Sequence, residues 1–424
     1  MFQAIHVSIS AKGFNSVYLI GNGLESPLNS ERSVKDDRLC IMAKKESQVD
    51  HYEHSAIKVR LLRQYLEAYL SVIGHSPYFH GIHVYDLFCG EGIYPNGGKG
   101  SPVIILEAIK KIKESSTNSY LQSTKFYCTI NDIDQKSYSK VSQYLVENSD
   151  SFSWLTSMSV ENRNYRDFIP ELSDKFPRLK KEKAFVFIDP YGYSDILVSD
   201  IKGLLTGNNS EVLLFLPTQF MYRFDNDAAP ASLIRFVEEL DPTGEWTGGE
   251  SGLDFIEKVK TAFRKIMSGS FFVDTFVIAK AKNEFFCLFF FTAHIYGFQK
   301  MLEAKWAIDE QDGRGWSPTS YIKDSGQLGM FAETKIEPIT YNLEKKLRDF
   351  LQDWKTNKDV YHFVLEIGYL PRHVNPLLKT MFKDNIIEAE SLVESIQSIS
   401  TFYIDYTNYK ASNPPKIRMR IKRR

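Results

Sequence analysis

The sequence predicts a doubly wound α/β sheet with an antiparallel hairpin at one edge, followed by a smaller helical unit. Three observations lead to this prediction. Short apolar runs alternate with amphipathic helical segments between residues 57 and 216. Two β-rich runs, 271–280 and 284–293, are joined by Ala-Lys-Asn, which is typical of a hairpin. Beyond residue 340, short helical patterns, a turn and an extended stretch follow one another.

Composition bounds the classes of protein to which the chain belongs. Its 424 residues are 43% apolar and 25% charged, which excludes a disordered or low-complexity protein. Fifty-two basic and 53 acidic residues nearly cancel, so the net charge names no partner. No two of the four cysteines are spaced as a CxxC motif. The longest apolar run, 285–291, is far shorter than a membrane helix. We therefore expect a soluble cytoplasmic protein without a metal site or membrane association.

Elements of the predicted sheet alternate regularly along the chain. An amphipathic helix begins at Ile57, where apolar residues recur every three and four positions. The predicted strands cover 81–86, 125–130, 184–189 and 211–216, and the helices between them cover 101–113, 135–147 and 197–206. Ser101 and Pro102 suit the N-cap and N1 positions of the first of these helices. Helical segments over 218–268, the hairpin and a helix over 297–307 complete the unit.

Five segments follow from these patterns. Helical patterns over 342–355, 358–367 and 373–384, then an extended stretch, have the order of a winged helix-turn-helix. We predict an N-terminal arm of unknown role (1–41), the sheet domain (42–319), a linker (320–340), a winged-helix domain (341–406) and a basic tail (407–424).

The strongest local signal is the turn Tyr85-Asp-Leu-Phe-Cys-Gly-Glu-Gly92 at the end of the first predicted strand. Gly90 and Gly92 let the backbone approach a ligand closely, because glycine tolerates positive φ and lacks a Cβ. The spacing differs from the G-x-G-x-x-G of pyrophosphate sites. It suits a nucleoside with a charged tail, such as S-adenosylmethionine, whose amino group pairs with Asp86; Phe88 belongs to the same candidate site. The alternative is an ordinary tight turn.

Acidic residues also follow the next strand. Asp132 comes after the predicted strand 125–130, where a carboxylate is placed to accept both ribose hydroxyls. The alternative for Asp132 is an exposed turn acid, and Asp134 is expected to be the N-cap of the next helix. Asp167 has two open interpretations: contact with the adenine amino group, or capping of a helix that begins at Phe168.

A third acid ends the apolar strand 184–189 and opens the sequence Asp189-Pro-Tyr-Gly192. A rigid Asp-Pro-aromatic turn accepts from an exocyclic amine through Asp189 and the Pro190 carbonyl, while Tyr191 stacks on a planar base. We therefore predict Asp189, Pro190, Tyr191 and Gly192 as the catalytic turn. The alternative is a turn in which Asp189 caps the following segment.

Basic residues dominate the end of the chain, where residues 407–424 hold seven Lys or Arg and no acid. Their alternation with apolar residues predicts an edge strand with one basic face, which suits phosphate contact. The predicted nucleic-acid-binding residues are Arg372 and Lys379 of the winged helix and Lys416, Arg418, Arg420 and Lys422 of the tail. Tails that promote solubility and wings that bind proteins are the alternatives.

Several of these residues together carry a family resemblance: His54, Lys58, Tyr65, the 86–92 turn, Gly100-Ser-Pro102, the strand end at 187–192, Met301 and Trp306. With them the chain resembles the three-Cys-motif partner (TcmP) family. The resemblance implies a Rossmann-like class I methyltransferase sheet, S-adenosylmethionine as cofactor and a C-terminal winged helix. The family name implies a partner with a three-cysteine, radical-SAM-like motif. Asp189-Pro-Tyr-Gly192 is similar to the Asp-Pro-Phe-Gly of tRNA guanine N2-methyltransferases. It differs from the Asp/Asn-Pro-Pro-Tyr motif of DNA and RNA amino-methyltransferases, because it lacks the second proline.

Two functions from different classes remain. The first is an S-adenosylmethionine-dependent methyltransferase of nucleic acid, with an exocyclic base nitrogen as the favoured target. The second is a non-catalytic partner that binds nucleic acid or docks a radical-SAM-like protein. Lys58 shares a helix face with His54, and a solvated face is favoured there over contact with a phosphate or the cofactor carboxylate. Met301 and Trp306 are expected to pack in the core.

Overall fold

A computed structural model describes residues 4–6, 18–20, 53–223, 229–267, 269–281, 284–317, 339–410 and 412–422. The chain divides into two compact units, residues 1–293 and 294–424. Of the predicted N-terminal arm, the description covers strands β1 (Ala4–His6) and β2 (Tyr18–Ile20), which pair antiparallel; residues 320–338 of the predicted linker lie outside it. In the described residues no helix combines the length and the apolarity needed to cross a membrane.

The first unit is built on a mostly parallel sheet. Its strands are β3 (Gly81–Asp86), β4 (Lys125–Asn131), β5 (Ser157–Glu161), β6 (Glu182–Ile188), β7 (Ser210–Leu216), β8 (Phe272–Ala281) and β9 (Glu284–Thr292). They lie in the order β8-β9-β7-β6-β3-β4-β5. Strands β3 to β7 pair in parallel, whereas β9 runs antiparallel to both β7 and β8. The predicted Rossmann-like sheet and its antiparallel hairpin are confirmed.

Helices connect the strands of this sheet. They are α1 (Glu53–Gly74), α2 (Ser101–Ser115), α3 (Ser119–Ser123), α4 (Gln135–Glu147), α5 (Tyr165–Lys175), α6 (Val198–Leu205), α7 (Thr218–Arg223), α8 (Ala231–Leu240) and α9 (Gly252–Ile266). The predicted N-cap of α2 is wrong by one residue, because the extended residue before the helix is Gly100 and Ser101 is already helical. Strand β5 is absent from the sequence prediction.

A buried polar contact fastens α1 to the sheet. The hydroxyl of Tyr65 donates to the carboxylate of Glu211 on β7, and the Thr292 hydroxyl of β9 donates to it at 2.7 Å. Burial raises the pKa of Glu211 to about 7, although both hydroxyl donors oppose the shift. Tyr65, one of the residues that carry the family resemblance, therefore helps to hold α1 against the sheet.

The second unit combines helices with a small sheet. Its elements are α10 (Ile295–Trp306), β10 (Gly315–Trp316), α11 (Ile339–Phe350), β11 (Lys355–Thr356), α12 (Asn357–Glu366), α13 (Pro371–Lys383), β12 (Ile387–Ser391), α14 (Tyr406–Tyr409) and β13 (Ile417–Ile421). Met301 and Trp306 are buried in this unit, as expected of core residues.

The basic segment at the end of the chain occupies the middle of the small sheet. Strand β13 pairs antiparallel with β11 on one side and with β12 on the other, in the order β11-β13-β12. The predicted edge strand is therefore wrong. Ile417 and Met419 are completely buried. The apolar side chains of β13 therefore pack in the core of the unit and stabilise the strand between its two neighbours.

Candidate functional site

The glycine turn follows β3 and has the backbone conformation that its sequence predicts. Gly90 and Gly92 have φ of 63° and 78°, which side chains with a Cβ rarely adopt. Gly92 also lies against α4, since a Cβ there would approach Val141 Cγ2 at 3.0 Å. A Cβ on Gly90 would meet one described atom within 4 Å, the hydroxyl oxygen of Tyr191 at 4.0 Å. The turn therefore exposes a bare backbone surface beside Tyr191.

Asp86 ends β3 beneath this turn and is completely buried. Within the described part of the chain, neither of its carboxyl oxygens has a hydrogen bond of ordinary geometry. Burial raises the pKa of Asp86 to about 8; the Ser101 hydroxyl opposes the shift, and the charge of Asp189 adds to it. A buried carboxyl that lacks well-aligned donors is costly to ionise, so this group suits a cationic ligand.

We expect Asp86→Asn to make the free energy of unfolding less dependent on pH. The folded-state pKa lies above the unfolded value, so the stabilising protonated form is present at low pH and is lost as the pH rises from about 4 to 8. In urea denaturation, the free energy of unfolding of wild type should fall by on the order of 3 kcal/mol between about pH 5 and pH 8, whereas that of the variant should not show this fall. Asp195→Asn removes an exposed carboxyl as the control; equal pH dependence of wild type and Asp86→Asn would contradict the expectation.

Asp132 follows β4 and holds the glycine turn. One of its oxygens, Oδ2, accepts the Gly90 N–H at 2.8 Å, and Oδ1 accepts the Asp134 N–H at 2.8 Å. The Tyr191 hydroxyl donates to Oδ2 at 3.4 Å. Asp132 is completely buried, so the alternative of an exposed turn acid is wrong. Asp134 is the N-cap of α4, as predicted.

Asp189 follows β6 and forms an ion pair that the sequence interpretation missed. The Lys58 ammonium donates to its two oxygens at 2.9 and 2.7 Å, and lies 4.0 Å from the centre of the Phe215 ring. The side chain of Lys58 is 13% exposed, so the favoured interpretation of a solvated helix face is wrong for this residue; the side chain of His54 lies outside the described residues. The capping alternative for Asp189 is also wrong, because the N-cap of α6 is Leu197.

The three acids converge because their strands are neighbours. Strands β4 and β6 both pair in parallel with β3, and Asp86 is in register with Ile130 and Phe187. Asp132 and Asp189 each lie two residues beyond those partners, so all three acids meet at the carboxyl edge of the sheet. Burial is the main cause that raises the pKa of Tyr94, and the charges of Asp189 and Asp86 raise it further.

The two remaining predicted cofactor residues, Phe88 and Asp167, have other surroundings. The Phe88 ring packs on Tyr165, with ring centroids 5.1 Å apart. Asp167 is exposed in the first turn of α5, whose N-cap is Asn164. The capping alternative for Asp167 is therefore wrong, and its contact with adenine stays a prediction.

The predicted nucleic-acid-binding residues belong to the second unit. Arg372 and Lys379 are exposed on α13. On β13, Arg418 and Arg420 pair with Glu390 and Glu388, each at 2.6 Å, and both guanidinium groups lie against the Trp354 ring. Lys416 lies 4.7 Å from the Tyr403 ring centre, and Lys422 donates to Asn385. The two arginines are thus already compensated by carboxylates of β12.

Comparisons with known proteins give no family model and no curated protein that matches the chain. Solved structures match at low similarity. A protein of Legionella pneumophila is 17% identical, with a TM-score of 0.35 over 62% of this chain and 92% of its own. The methyltransferase domain of a bacterial Hen1 is 14% identical, with a TM-score of 0.26 over 55% and 98%. A Listeria monocytogenes protein, provisionally described as a class I S-adenosylmethionine-dependent methyltransferase, is 12% identical, with a TM-score of 0.28 over 62% and 76%.

Proposed function

We propose that this chain is an S-adenosylmethionine-dependent methyltransferase that acts on an exocyclic base nitrogen of nucleic acid. The observation that carries the proposal is the convergence of Asp86, Asp132 and Asp189 around a glycine turn at the carboxyl edge of a Rossmann-like sheet. Ligands of such sheets bind at this edge. One acid, Asp86, is buried with no hydrogen bond of ordinary geometry among the described residues, which favours a ligand that brings its own positive charge.

The residues present fit this cofactor. Asp86 would hold the cationic end of the molecule, and Asp132 would accept the ribose hydroxyls. The bare backbone at Gly90 leaves room for close approach, because a Cβ there would meet a single described atom within 4 Å. When bound, S-adenosylmethionine supplies an electrophilic methyl group.

The catalytic turn would orient the target amine. Lys58 fixes the Asp189 carboxylate through both oxygens, and each carboxylate oxygen has capacity for a further donor. Asp189 and the Pro190 carbonyl would accept the amine N–H groups and aim the nitrogen lone pair at the methyl group. Tyr191 would stack on the base, and catalysis would come mainly from this alignment.

The second unit would hold the nucleic acid. We propose that α11, α12, α13 and the sheet β11-β13-β12 form a winged helix, since their chain order is that of this motif. The exposed Arg372 and Lys379 of α13 would contact phosphates. Arg418 and Arg420 would contribute less, because Glu390 and Glu388 compensate their charge.

Calorimetry and methyl transfer test the proposal together. We expect the protein to bind S-adenosylmethionine with micromolar affinity and to transfer radiolabelled methyl groups to total RNA or DNA. Lack of heat at millimolar S-adenosylmethionine would contradict the proposed function. Binding of cofactor and nucleic acid without transfer would favour the non-catalytic partner, for which a radical-SAM-like three-Cys-motif protein is the docking candidate.

We expect the double variant Arg372→Ala/Lys379→Ala to weaken nucleic-acid binding similarly for all sequences. Each phosphate contact releases counterions, so the slope of log K against log salt should fall by about one for each residue removed. Fluorescence anisotropy with labelled oligonucleotides at salt concentrations from about 50 to about 200 mM measures this slope. Lys345→Ala, an exposed lysine of α11, is the matched control. An unchanged slope in the double variant would contradict the assignment.

A further inference from the structure

Tyr191 connects the two halves of the proposed site. It belongs to the catalytic turn after β6, yet its hydroxyl donates to Asp132 after β4, at 3.4 Å. The same hydroxyl lies 4.0 Å from the position of a Cβ on Gly90. The Tyr191 side chain therefore reaches from the turn that would receive the base to the turn that would receive the cofactor.

The hydroxyl of Tyr191 occupies an acceptor that the cofactor needs. Oδ2 of Asp132 already accepts the Gly90 N–H at 2.8 Å, while Oδ1 accepts the Asp134 N–H at 2.8 Å. A carboxylate oxygen has two lone pairs, so Gly90 and Tyr191 together fill the capacity of Oδ2. A ribose hydroxyl that binds Oδ2 must therefore displace Tyr191.

The backbone around Tyr191 belongs to a loop with open space beside it. The segment between the end of β6 at Ile188 and the start of α6 at Val198 is neither helix nor strand. A Cβ on Gly192, the next residue, would meet nothing described within 4 Å. Tyr191 itself is half-buried, so part of its side chain already lies outside the core.

We propose that Tyr191 couples the two subsites: the cofactor displaces its hydroxyl from Asp132, and the released ring then stacks on the target base. The inference rests on the proposed function and adds an order of binding to it. The cofactor binds first and strengthens the binding of nucleic acid. Because coupling between sites is reciprocal, bound nucleic acid also strengthens the binding of the cofactor.

Tyr191→Phe separates the hydroxyl from the ring. The variant keeps a ring that stacks, but the cofactor no longer competes with a hydroxyl for Asp132. By calorimetry we expect Tyr191→Phe to bind S-adenosylhomocysteine about fivefold more tightly than wild type, as the loss of one modest hydrogen bond implies. Tyr193→Phe, the neighbouring tyrosine of the same loop, should leave the affinity unchanged. Equal affinity in wild type and Tyr191→Phe would overturn the inference.

The coupling is measured with a labelled 20-nucleotide single-stranded pool of random sequence, as RNA and as DNA. S-adenosylhomocysteine should strengthen the binding of this pool to wild type about fivefold. It should have a smaller effect in Tyr191→Phe, whose ring has no hydroxyl to donate to Asp132. The coupling would be overturned if S-adenosylhomocysteine left the oligonucleotide affinity unchanged, or if no oligonucleotide bound at all. Cofactor binding would in either case still support the proposed function. Absence of any S-adenosylhomocysteine or S-adenosylmethionine binding to wild type would instead overturn the proposed function and this inference with it.

Discussion

Asp132→Ala is expected to abolish S-adenosylmethionine binding, with a dissociation constant raised at least about 100-fold. The Asp132 carboxylate holds the glycine turn through the Gly90 N–H and the next loop through the Asp134 N–H. It is also the proposed acceptor for the ribose diol. Its removal therefore deletes a ligand contact and leaves two backbone donors without their acceptor, each of which costs about 1–3 kcal/mol when buried. Calorimetry at fixed pH measures the loss.

The matched control is Asp134→Ala. Asp134 caps α4 by accepting the Lys136 and Ser137 N–H groups, so its loss should cost about 1 kcal/mol of stability. The affinity for S-adenosylmethionine should stay within a few-fold of wild type. Wild-type affinity in Asp132→Ala, with the fold verified by circular dichroism, would refute the assigned role of Asp132.

Lys58→Met is expected to reduce methyl transfer on the order of 100-fold while S-adenosylmethionine binding changes little. The Lys58 ammonium donates to both oxygens of Asp189, and these side chains are only 13% and 21% exposed. Without it the carboxylate loses its charged partner and its fixed orientation, and misplacement by about 1 Å costs around 100-fold in rate. Steady-state kinetics should show the loss in kcat rather than in the KM for the cofactor.

Conservative rescue separates positioning by Lys58 from a merely structural role. Lys58→Arg restores a cation with two parallel donors, so it should recover part of kcat. Lys99→Met removes a surface lysine that pairs with Glu107, and it should leave kcat unchanged. If Lys58→Met retained the wild-type rate, Asp189 would not depend on Lys58 for its orientation.

The sheet was predictable because its pattern is local. Strands β6 and β7 are continuous apolar runs, and their prediction needs no knowledge of the partners. The sequence does not predict β5 because Ser157–Glu161 contains only two apolar residues. Within the described residues, β5 pairs with β4 and forms one edge of the sheet. The charges of β13 predict exposure and therefore an edge position, whereas the glutamates that neutralise its two arginines lie on the neighbouring strand β12.

The alternation of strands and helices, the glycine turn and the positions of Asp86, Asp132 and Asp189 at strand ends can all be predicted from the amino-acid sequence. These features depend on the apolar period and on local backbone conformation, which neighbouring residues control. The pairing of Lys58 with Asp189, 131 residues apart, and the contact of Tyr191 with Asp132 become visible once the chain is folded. Both depend on which strands lie side by side and where α1 packs, because the energy of an ion pair or hydrogen bond falls with distance in space and not with separation along the chain.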